Sequence, residues 1–143
     1  MKTLPVVIER TLNAPVDRVW DALTKLEQMK QWYFDMPAFK PELGFEFQFE
    51  GQNKGMIFHH RCQITEIILG KKIQFSWRYE GYEGKSIVTI ELFSEGEKTR
   101  LKLTHEGIET FPDMPDFARN NFETGWTSII GTSLPRFLET MAG

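Results

Sequence analysis

The chain has 143 residues, 41% hydrophobic and 26% charged, a balance that reads as globular rather than disordered and suits one domain over residues 1–143. A net charge of −3 and the lack of a basic stripe argue against nucleic acid as a partner. The opening MKTLPVVIERT carries early charges and no long apolar run, so neither a signal peptide nor membrane insertion is expected, and Cys62, the single cysteine, excludes an internal disulfide and suits a reducing, cytoplasmic setting.

Residues 6–12 are β-branched, alternate loosely and read as a first strand. Asn13-Ala14-Pro15 opens a helix whose apolar face carries Val16, Val19, Trp20 and Leu23. Thr24-Lys25-Leu26-Glu27 has the spacing of a capping box and predicts a second short helix through about Trp32. A loop with Pro37 and Pro41 leads to FEFQFE, where Phe45, Phe47 and Phe49 share one face, and Gly51 and Gly55 are expected to bracket a turn.

In the strand over 57–68, Phe58, His60, Cys62 and Ile64 are expected to face inward. Ile73, Phe75, Trp77 and Tyr79 follow on the next strand, Val88, Ile90 and Leu92 on another, and Leu101, Leu103 and His105 on the last. Successive strands with short connections predict an antiparallel meander with one wet face. After a loop over 107–115, one long helix is expected from Asp116 to about Thr140, with Phe122, Trp126, Ile129, Ile130, Ser133 and Phe137 on its broad apolar face. Gly125, Gly131 and Pro135 inside it call for a reason: a bend at the proline, and close approach or ligand space at the glycines.

This order, with IERTLNAPVDRVWDALT near the start, Trp32, then QITEI, KKIQFSW, TRLKLTHEG and NNFETGWTSIIGTSLPRFLE, resembles the START-like (SRPBCC) helix-grip superfamily. Within it, the chain is most similar to homologues of the activator of the ninety-kilodalton heat-shock protein ATPase. The resemblance implies an α+β fold in which a curved antiparallel sheet wraps around a long C-terminal helix. It also implies an apolar cavity, since members bind lipids, hormones, polyketides and other apolar molecules, and a minority are enzymes. The named co-chaperone engages its client with a separate N-terminal domain. This sequence starts directly at the first strand, so activation of a chaperone ATPase is not expected. Monomer and homodimer both stay open.

Twelve Phe, four Trp and three Tyr suit such a cavity, and equally a thick core. The expected ligand-binding set is Trp32, Phe47, His60, Cys62, Phe75, Trp77, Val88, His105, Trp126 and Ile130, taking a small hydrophobic or amphipathic molecule, with His60, Trp77 and His105 as polar anchors. The loops over 107–115 and after Trp32 are the expected gates. His59 and His60 point to opposite faces and no paired ligand spacing exists, so neither a metal nor any other cofactor is expected. Cys62 reads as an inert buried thiol. A cyclase or hydrolase using Glu66, His60 or His105 as acid or base is the alternative; Glu66 follows Ile64 in the inward register unless a bulge releases it. A protein–protein adaptor is the third reading, and it would expose a large apolar patch.

Overall fold

The computed structural model describes residues 4–33, 36–53 and 56–142. Strand β1 (Val6–Leu12) is followed by helices α1 (Val16–Thr24) and α2 (Leu26–Trp32). The meander is β2 (Glu46–Asn53), β3 (Met56–Ile68), β4 (Lys72–Tyr79), β5 (Ser86–Glu95) and β6 (Lys98–Glu106). One antiparallel sheet results, in the order β1-β6-β5-β4-β3-β2, so the first strand closes against the last and β1 and β2 are the edges. Two short 3-10 turns, Ile108–Thr110 and Pro115–Phe117, lead into the C-terminal helix. This is the expected α+β arrangement of a curved sheet around a long terminal helix.

Alternation sorts the side chains. Phe47 and Phe49 of β2, Phe58, His60, Cys62 and Ile64 of β3, and Ile73, Phe75, Trp77 and Tyr79 of β4 are all buried beneath the helices. Val88, Ile90, Leu92, Leu101, Leu103 and His105 continue the same layer. The break between α1 and α2 falls where expected, but not through a capping box. Thr24 is the last residue of α1, and its hydroxyl donates back to the Trp20 carbonyl at 2.7 Å. Lys25 caps α2 without a side-chain bond. Gly51 lies within β2 rather than at a turn, and Gly55 lies outside the described residues.

The terminal helix is not uniform. An α-helix, α3 (Arg119–Ser128), passes through a π-helical segment, Ile129–Ser133, into α4 (Leu134–Ala142). Buried Phe122, Trp126, Ile130, Leu134 and Leu138 recur every fourth residue. Such a stripe outruns a helix of 3.6 residues per turn, and the wider π turn brings it back onto one face. Pro135 lies two residues beyond that segment, as the second residue of α4, and its missing N–H falls where the i→i−4 ladder is already interrupted. The helix is tied down at both ends. Arg119 donates to the carbonyls of Leu4 and Pro5 at 3.0 Å each, and Arg18 of α1 donates to the Leu138 carbonyl at 3.3 Å. Among the described residues, no helix is long and apolar enough to cross a membrane.

Candidate functional site

The space between sheet and helix is divided in two. Its deep part, lined by Trp32, Phe47, Phe75, Trp126 and Ile130 among others, holds a void of only about 20 Å³. That is room for about one water and no organic guest. The rings fill it themselves: Phe39 meets Phe47 edge-on at 5.0 Å, and Phe47 meets Phe75 at 5.3 Å. Trp32 is committed locally, donating its indole N–H to the Ala22 carbonyl at 2.9 Å and so fastening α2 to α1.

The open part lies toward the start of α3. A cleft of about 320 Å³ is bounded by β2, β3 and β4 on one side and by residues 116–129 on the other. His60, Trp77 and Trp126 of the expected set line it. Phe58, Tyr79, Phe117 and Phe122 line it too, although the sequence did not single them out as ligand contacts. Phe58 and Tyr79 share the strand parity of His60 and Trp77, which was the available signal. Phe117 had none, because it sits in a 3-10 turn where a continuous helix was expected. That turn, with Gly51 across from it, flanks the mouth. Of the gates expected after Trp32, Phe34 and Asp35 lie outside the described residues.

His60 is buried and stacks on Phe49, with ring centroids 4.5 Å apart and planes 14° apart. Its Nδ1 lies 3.1 Å from the Phe58 carbonyl, which can only accept, so Nδ1 carries a proton. Burial lowers its pKa to about 4, against the opposing pull of backbone hydrogen bonds to Phe58 and Phe49, so the ring is neutral at physiological pH. The Trp77 indole donates to the Tyr79 hydroxyl oxygen at 2.9 Å, which leaves that hydroxyl's own proton to give.

His105 is inward as expected, but it is spent on structure. Trp126 donates its indole N–H to Nδ1 at 2.9 Å, and Nε2 lies 2.7 Å from the Ser86 hydroxyl. Because an indole N–H only donates, Nδ1 is the bare nitrogen and Nε2–H donates to Ser86, whose hydroxyl passes its proton to the Trp77 carbonyl at 3.1 Å. Burial lowers the pKa of His105 to about 3. Val88 and Cys62 are packed outside both spaces, and burial pushes the Cys62 thiol far above its ordinary range, away from thiolate chemistry.

Glu66 leaves the inward register. A bulge between Ile64 and Glu66 releases it, and its carboxylate pairs with Lys72 at 3.2 Å, half exposed. An acid/base pairing of Glu66 with either histidine therefore has no geometry here. Among the described residues, no cluster of three or more His, Cys, Asp or Glu could hold a metal.

The fold is widely shared. The Mll3558 protein from Rhizobium loti superposes with a TM-score of 0.80 at 25% identity, over 94% of this chain and 96% of that one. CV1439 from Chromobacterium violaceum gives 0.79 at 22%, over 94% and 96%. DynU16, from the dynemicin biosynthetic locus, gives 0.77 at 24%; 95% of this chain is covered, but it spans only 47% of DynU16. No functionally curated protein matches the sequence. The model of the family described as Activator of Hsp90 ATPase homolog 1-like protein matches residues 13–139, and the chain belongs to that family, within the START-like superfamily the sequence resembles.

Proposed function

We propose that this protein binds a small, ring-bearing apolar molecule in the cleft between β2–β4 and the start of α3. The observation that carries this is the cleft itself: about 320 Å³, walled by Phe58, Trp77, Tyr79, Phe117, Phe122 and Trp126, with His60 set among them. Ligand sites run from about 300 to 1,000 Å³ and combine apolar walls with a few polar groups. This one is at the small end, which favours a compact ring system over a long acyl chain. Burial of the ligand's apolar surface supplies the affinity, at roughly 25 cal/mol per Å² before the costs of association.

Gly125 makes the test clean. It lines the cleft, and a side chain grown from it meets nothing within 4 Å at its first carbon. Gly125→Phe should therefore fill the cleft without disturbing the core. Wild-type protein is expected to bind naphthylmethanol saturably by isothermal titration calorimetry. The variant, folded by circular dichroism, is expected to lose at least about tenfold in affinity, equivalent to ~1.4 kcal/mol. Equal binding by both proteins would place the ligand elsewhere.

A further inference from the structure

We infer that the outer face of the sheet holds a second site, separate from the cleft, for a small phosphate-bearing molecule. Strand parity builds it. Arg61 and Arg78 follow the cleft residues His60 and Trp77 by one position each, so they project from the opposite face. The pairing of β3 with β4 sets them directly across from one another. Lys85, just before β5, joins them around a hollow of about 250 Å³ that shares no lining residue with the cleft. The three cations are 17 and 7 positions apart in the chain, so the sheet alone brings them together.

Like charges directly opposite on neighbouring strands repel. Among the described residues, no carboxylate forms an ion pair with Arg61, Arg78 or Lys85. Glu50 and Glu80 lie instead at His59, at 3.9 and 4.0 Å. Gln48, across from Arg61, accepts from His59 at 2.8 Å through its side-chain carbonyl. Glu46 lines the hollow as one acid against three cations. Ser76 supplies the second observation. It lines the same hollow yet is only 4% exposed, and its hydroxyl oxygen accepts the Gln63 N–H at 3.1 Å. Its own proton has no acceptor among the described residues. A buried hydroxyl with a proton to give, beside two guanidinium forks and an ammonium, is a donor set for a phosphate group. A phosphate monoester carries close to two negative charges near neutral pH, which offsets the repulsion between the arginines. The size of the hollow suits one phosphate group on a small molecule, and the three cations are too few for a polymer backbone.

The probe is inorganic phosphate, titrated into the full chain at constant ionic strength against chloride and followed by amide NMR shifts. Saturable shifts are expected at Arg61, Gln63, Ser76 and Arg78, and none at Gly125 in the cleft. Arg61→Gln and Arg78→Gln, both at exposed positions, should each weaken binding by about tenfold. Ser76→Ala, folded by circular dichroism, should also weaken it. Lys98→Gln removes the same charge from an exposed position at the start of β6 and should leave the affinity unchanged. Absence of saturable shifts at the named amides, wild-type affinity in Arg78→Gln, or equal weakening in Arg78→Gln and Lys98→Gln would each overturn the inference. None of these outcomes bears on ligand binding in the cleft, which the naphthylmethanol titration tests separately.

Discussion

His105 touches three elements at once. Through Trp126 it holds the terminal helix, and through Ser86 it holds β5, whose hydroxyl in turn fastens β4 at Trp77. All of these groups are buried, so each lost partner leaves a polar atom without water to replace it. Ser86→Ala is expected to destabilise the fold by about 1–3 kcal/mol by leaving Nε2–H without its acceptor, measured by urea denaturation. A change under about 0.5 kcal/mol would mean the imidazole finds another acceptor. The inward direction of His105 was legible from its alternation with Leu101 and Leu103. The use of its nitrogens was not, because Ser86 and Trp126 lie 19 and 21 residues away in the chain. The same holds for Glu66, whose register counted as inward until the bulge turned it toward Lys72.

At the scale of elements, local pattern located the strands and missed the interruptions. Both short helices and all six strands lie within a few residues of their expected positions, because alternation and helical spacing are local signals. The π segment is not local in that sense: it reconciles a four-residue apolar stripe with a fixed sheet surface. The β4–β5 connection shows the same dependence. Gly84 has φ +107°, and a Cβ there would lie 2.5 Å from the Thr110 carbonyl oxygen and 2.7 Å from the Phe111 ring. Thr110 meanwhile accepts from the Lys85 N–H at 2.8 Å through its hydroxyl, so the two loops are locked together. Gly84→Ala should cost about 1–3 kcal/mol from strain and overlap, lowering the thermal midpoint measured by calorimetry. Gly125→Ala, in open space on α3, should instead gain about 0.5–1 kcal/mol. Reversal of these two signs would contradict the loop packing.

For the molecule as a whole, two neutral imidazoles in the interior set a pH dependence. His60 at about 4 and His105 at about 3 are both lowered by burial from the ordinary value of 6.5. Between those values the unfolded chain binds protons that the folded chain refuses. Unfolding free energy should therefore be whole above about pH 6.5 and fall as the pH drops toward 4 and then 3, with each histidine adding up to ~1.4 kcal/mol per pH unit. Urea denaturation from pH 7.5 to 5 should show this slope, reduced in His60→Phe. A flat profile in wild type would mean the histidines are not buried neutral.

Period-two strands and the apolar face of the last helix were enough to determine an antiparallel meander with one wet face and an amphipathic terminal helix, since each follows from near neighbours along the chain; the closing of the sheet over that helix came with the family resemblance. The same local patterns also determined which side chains point inward, except at Glu66, where the bulge after Ile64 reversed the register. Only the tertiary structure decided which inward rings pack against one another and which leave a gap. That depends on shapes meeting across elements far apart in sequence. So Trp32, Phe47, Phe75 and Ile130 surround a void of about 20 Å³, while Phe58, Tyr79 and Phe117 border the open cleft.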